Sequence, residues 1–124
     1  MVKQSIIHQI KEDFRFTAEN PAIKGVILYG SHATGDETPR SDIDICIVVP
    51  GQDLCEMYSF IMRNLENNVS RYDVRFFEEL PLHIQAHVIE RGILVLSPDT
   101  FALYEYFYAF RKLWADVKYR MQTC

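Results

Sequence analysis

The sequence predicts a small α/β or α+β domain in which a mixed β-sheet is flanked by helices, and three observations carry that expectation. Some stretches repeat their apolar residues at helical spacing, while others alternate them as strands do. The two kinds of stretch follow one another along the chain. The length, 124 residues, suits about one ordinary domain, and 48% apolar residues with 13% aromatic are ample material for its core, which excludes intrinsic disorder.

Ile6, Ile7, Ile10 and Phe14 fall at helical spacing, so a first helix is expected over 4–18, ending before Asn20 and Pro21. Gly25 to Tyr29 reads as a short buried strand. Gly30 to Ser41 is rich in turn formers and reads as a connection with room for one helical turn. Asp42 to Val49, β-branched and alternating at its start, is a second strand closed by Pro50 and Gly51. Asp53, with Glu56 three residues on, is a capping signature for a helix with apolar positions Leu54, Met57, Phe60, Ile61 and Leu65, stopped at Asn67 and Asn68. A third strand, Val69 to Phe77, sets Tyr72, Val74 and Phe76 on one face and Arg71, Asp73 and Arg75 on the other. Pro81 opens a helix that runs to Arg91, with Gly92 as its C-terminal cap. Ile93 to Leu96 is a fourth strand, and Asp99 caps a last helix reaching about Tyr119.

Thirteen Lys and Arg against 17 Asp and Glu give a formal charge of −4, which argues against the basic stripe of a nucleic-acid binder. A small anionic substrate then needs local help from a metal ion or a nest of backbone amides. The first 14 residues break their apolar run with Lys11, Glu12 and Asp13 and lack a small-residue cleavage pattern, so no secretory signal is expected. No apolar stretch approaches the ~18 residues of a membrane span. Cys46, Cys55 and Cys124 show no CxxC spacing and leave an odd one over, which suits the reducing cytoplasm.

Asp42 and Asp44 stand two apart on a strand, so both carboxylates leave one face while Ile43, Ile45 and Ile47 pack on the other. Such a pair repels itself unless a cation or proton lies between, and hard divalent cations such as Mg²⁺ take oxygen ligands of this kind. Asp73 completes the cluster if its strand lies beside the second. Three carboxylates of this kind hold two metals about 3.5–4 Å apart in enzymes that displace groups at phosphorus. Upstream, Gly30 and Ser31 end the first strand in a turn where backbone amides can approach a phosphate, and Ser31 adds a hydroxyl. A lone Asp-x-Asp is common on solvated strand faces. The Gly-Ser turn, the spacer of ten residues and the downstream Asp73 make the assembly specific.

Residues 30–45, GSHATGDETPRSDIDI, resemble the minimal nucleotidyltransferases of the polymerase-beta-like superfamily, whose signature is a Gly-Ser turn, about ten residues and Asp-x-Asp between hydrophobic residues. The resemblance implies that fold, that Gly30 and Ser31 hold the nucleoside triphosphate, and that Asp42, Asp44 and, in RYDVRFF, Asp73 bind Mg²⁺ and are catalytic. It covers most of residues 20–100. Residues 1–124 are thus expected to be a single nucleotidyltransferase domain, its catalytic core about 20–100 and an aromatic C-terminal helix about 99–120. The implied reaction moves a nucleoside monophosphate, AMP from ATP, to a hydroxyl. Where family members often carry arginine in the Gly-Ser loop, this sequence has His32 and Thr34, and Arg40 is the nearest replacement.

The remaining features have bland readings. Gly25 to Ser31 mimics a P-loop only in glycine spacing, and no lysine follows Gly30. His83 and His87 lie i,i+4 without the glutamate of a zinc-protease helix, so they read as surface histidines, and Cys46 as a small buried hydrophobe. Arg71 and Arg75 are open to triphosphate contact or to charge balance of Asp73. On the last helix Leu103, Phe107, Phe110, Trp114, Val117 and Met121 form a heptad-like seam. Tyr104, Tyr106, Tyr108 and Tyr119 lie off it, which suggests a surface for a protein partner or a second copy. A chain this short has little room for an acceptor-binding domain, so the acceptor is expected on another protein. The resemblance implies a HEPN-type toxin whose antitoxin this would be. Two alternatives stand: a noncatalytic partner-binding module, and a small-molecule nucleotidyltransferase of the antibiotic-modifying type.

Overall fold

Four short strands pair into one mixed sheet in the order β3-β2-β1-β4. A computed structural model of the chain describes residues 4–35 and 42–123. The strands are β1 (Gly25–Tyr29), β2 (Ile43–Val48), β3 (Tyr72–Phe76) and β4 (Ile93–Leu96), and the helices are α1 (Gln4–Asp13), α2 (Ser31–Thr34), α3 (Leu54–Leu65), α4 (Leu82–Arg91) and α5 (Thr100–Thr123). β1 runs antiparallel to both β2 and β4, while β2 and β3 are parallel, as a crossover through α3 requires.

Strand alternation sorts the core onto two faces. Val26, Leu28, Ile45, Ile47 and Val74 face α1 and α3, meeting Ile10, Phe14, Met57, Ile61 and Leu65. Ile27, Cys46 and Val48 face the other way, against Val88 of α4 and Leu103 and Phe107 of α5. Cys46 is fully buried, the small hydrophobe expected, and burial pushes its thiol pKa well up.

Several element boundaries differ from expectation for local reasons. The first helix ends at Asp13 instead of Ala18, because the Thr17 hydroxyl donates to the Phe14 carbonyl at 2.7 Å and the chain winds into a 3-10 turn over Arg15–Glu19. The second strand starts at Ile43, leaving Asp42 just outside it and exposed. The third strand is Tyr72–Phe76 and not 69–77, since its pairing with β2 runs only from Ile43↔Tyr72 to Ile47↔Phe76. The segment before it, Glu66–Arg71, is a 3-10 helix. Asp53 caps α3 as read, accepting from the Glu56 amide at 3.1 Å, and Asp99 does the same for α5 through the Ala102 amide.

The last helix extends to Thr123, beyond Tyr119. Leu103 and Phe107 are buried, Phe110, Trp114 and Val117 half-buried, and Met121 exposed. Tyr106 departs from the expected outward set: it packs edge-on against Phe77 and Phe110 and donates to Glu78 Oε2 at 2.9 Å. The same Glu78 accepts from the Val49 amide at 3.0 Å, so one carboxylate ties α5 to the end of β2. Tyr104, Tyr108 and Tyr119 do point to solvent. Among the described residues no helix is long and apolar enough to cross a membrane.

Candidate active site

β1 ends at Tyr29 and turns at Gly30 into α2. The antiparallel register sets Tyr29 opposite Asp44, and the parallel register sets Asp44 beside Asp73. Tyr29, Asp44 and Asp73 therefore form one row across three strands, on the same face as Ile27 and Cys46. α4 and α5 cover the middle of that face, and this end lies beyond the buried cluster. The expected adjacency of the second and third strands holds, and with it the juxtaposition of Asp44 and Asp73.

Gly30 sits at φ 75, ψ −154, a conformation essentially confined to glycine. Its missing side chain has a second role. A Cβ there would overlap Asp44 Oδ2 and stand 3.1 Å from Asp44 Cγ, so the carboxylate occupies the space a side chain would fill. The sequence pointed to phosphate approach as the reason for this glycine; the structure adds room for the aspartate. Ser31 is the first residue of α2, and Thr34 donates weakly back to the Gly30 and Ser31 carbonyls.

Burial pushes the Asp44 pKa up, Asp73 and Asp42 push it further, and His32 and Arg75 pull the other way. His32, buried in α2, thus bears on the site although the sequence offered it only as a departure in the loop. Tyr29 is a second member that the sequence left inside an apolar run. Burial raises its phenol pKa, with further upward pushes from Cys46, Asp44 and Asp73. Only the register shows that its side chain shares the carboxylates' face.

Arg75 Nε lies 3.3 Å from Asp73 Oδ1, the charge-balancing role, while Arg71 turns away to Asp13 at 3.8 Å. Arg71 belongs to the 3-10 segment before β3, so it does not flank Asp73 on a strand face as expected. Arg40 lies outside the described residues. His83 and His87 are exposed, consistent with their surface reading.

The donor set suits a hard divalent cation in type and charge: carboxylate oxygens, one of them with its pKa raised by burial and by acidic neighbours. Its convergence is not preformed, since among the described residues no group of three or more His, Cys, Asp or Glu side chains is close enough to hold a metal ion.

A Gly-Ser turn packed on an aspartate of a mixed sheet is the arrangement of a nucleotidyl-transferring enzyme. The chain belongs to the family described as Polymerase beta, Nucleotidyltransferase, whose model matches residues 9–101. It is 43% identical over 98 residues to a Methanocaldococcus jannaschii protein named as a candidate protein adenylyltransferase, covering 79% of this chain and 75% of that one. A crystal structure of a toxin–antitoxin with AMP-PNP aligns at TM-score 0.56 with 18% identity, over 89% of this chain and 95% of that chain. A complex of a tri-AMPylated Shewanella oneidensis HEPN toxin with its MNT antitoxin aligns at 0.51 with 17% identity, over 91% and 95%. At such identities these alignments speak to a shared fold.

Proposed function

We propose that this nucleotidyltransferase, a single domain over residues 1–124, transfers AMP from ATP to a hydroxyl on a partner protein, acting as the antitoxin of a HEPN-type toxin. The observation that carries the reading is the row of Asp44 and Asp73 in parallel register with Gly30 opened around the Asp44 carboxylate. The 43% identical relative, by its name, supports adenylyl transfer to protein. The solved relatives with AMP-PNP and with an AMPylated HEPN toxin support ATP and that partner.

In this reading Gly30 and Ser31 seat the β- and γ-phosphates, Ser31 through its hydroxyl. Asp42, Asp44 and Asp73 would hold Mg²⁺, which when bound would neutralise the triphosphate and the charge developing at phosphorus. Asp73 receives the proton of the acceptor hydroxyl. The acceptor oxygen bonds to the α-phosphorus, the bond to the β-phosphate's bridging oxygen breaks, and pyrophosphate leaves. Exposed Tyr104, Tyr108 and Tyr119 on α5 supply the partner-facing surface, for the toxin or a second copy. The reading places the protein in the cytoplasm, where ATP is at hand.

Co-expression with a HEPN-type partner tests both halves. Asp42→Asn or Asp44→Asn should leave the complex intact and remove the added mass of AMP. Tyr108→Glu, at a position 60% exposed, should weaken the complex and spare ATP binding, because it would bury an unpaired charge. A wild-type complex that gains no AMP with ATP and Mg²⁺ would make the protein a noncatalytic module for that partner. With neither complex nor added mass, a small-molecule acceptor becomes the better reading.

A further inference from the structure

A groove of about 510 Å³ opens between α2 and the last turn of α4, walled by Ala33 and Thr34 on one side and Glu90 and Arg91 on the other. It adjoins the turn that carries Gly30 and Ser31, since α2 follows that turn directly. Gly92 fixes the far wall. A Cβ there would stand 2.6 Å from Ile27 Cγ2 and overlap the Val88 carbonyl oxygen, so the absence of a side chain lets the end of α4 close onto β1. Gly92 is not a left-handed cap, its φ being −69; close approach is its physical reason.

Charge decides what the groove suits. The carboxylate row repels a polyphosphate tail, and Arg75, the arginine beside it, is already committed to Asp73. Arg91 is exposed and has no carboxylate partner among the described residues. A guanidinium is a bidentate phosphate ligand that stays charged at any working pH. Glu90, on the same wall, repels anions, so a phosphate in the groove is drawn to Arg91 and away from Glu90.

We propose that Arg91 binds the terminal phosphates of the nucleoside triphosphate in the groove between α2 and α4, the cation that the Gly-Ser loop itself lacks at Thr34. The proposal rests on the nucleotidyltransferase reading and adds a binding residue from α4 to it.

Calorimetric titration of the full chain with Mg²⁺ and AMP-PNP, alongside AMP, tests it. Arg91→Ala should weaken AMP-PNP binding about 10- to 100-fold, the worth of a hydrogen bond to a charged group, and leave AMP affinity within about twofold. Arg91→Lys should recover part of the loss. In the Arg91→Ala background, Thr34→Arg should recover part as well, because it returns a cation to the same groove. Unchanged AMP-PNP affinity, or an equal loss for AMP, overturns the Arg91 assignment while the enzyme reading stands. A wild-type chain that does not bind AMP-PNP overturns both.

Discussion

Replacing Gly30 by alanine separates backbone strain from placement of the Asp44 carboxylate. The residue's φ of 75 and ψ of −154 impose a conformational cost of about 1–3 kcal/mol on any side chain. For a domain this size that lowers the melting temperature by roughly 4 °C per kcal/mol. The added Cβ also overlaps Asp44 Oδ2, with Asp44 Cγ at 3.1 Å where ordinary contact begins at 3.4 Å. The carboxyl must retreat by on the order of 1 Å, and a misplacement of that size costs about 10²-fold in rate. Gly51→Ala is the control: Gly51 has the same φ of 75, but nothing lies within 4 Å of its Cβ position. It should lower stability and leave transfer unchanged. Denaturant unfolding with single-turnover AMP transfer reads both quantities. If Gly30→Ala keeps transfer within about threefold of wild type while losing stability, the Gly30 and Asp44 contact does not position the carboxylate, and the reasoning fails.

Two further outcomes follow from the charges around β2 and β3. Asp44 binds its proton more tightly folded than unfolded, so its contribution to stability is greatest below the ordinary aspartate pKa and declines as pH rises through the raised value. Asp44→Asn in EDTA should therefore unfold at higher urea than wild type at pH 7, and the gap should close as pH falls into the ordinary aspartate range; a gap independent of pH would refute the raised Asp44 pKa. Tyr72 donates to Asp13 Oδ2 at 2.5 Å, and Asn68 donates to the other oxygen at 3.3 Å, tying α1 to the first residue of β3 beside Asp73. Tyr72→Phe should cost about 1.5–3 kcal/mol, the range for a hydrogen bond to a charged group, and a urea midpoint equal to wild type would show that this link carries no stability.

The alternation of Ile43, Ile45 and Ile47, the caps at Asp53 and Asp99, and the pairing of a Gly-Ser turn with Asp42 and Asp44 are local properties, legible from the order of residues alone. A strand's two-residue period and a cap's three-residue reach involve only near neighbours, so they are written in order along the chain. The family followed from the same short span. The rest of the site depends on which strands lie side by side. The parallel register of β2 and β3 brought Asp73 to Asp44, and the antiparallel register of β1 added Tyr29. Arg71 went to Asp13, Tyr106 to Glu78 and Arg91 to a groove shared with Ala33 and Thr34 because helices and turns far apart in sequence meet at each of these places. Gly30 shows the division within one residue. Its turn was legible from the sequence, whereas the aspartate that needs its missing side chain comes from a neighbouring strand whose register is set by core packing.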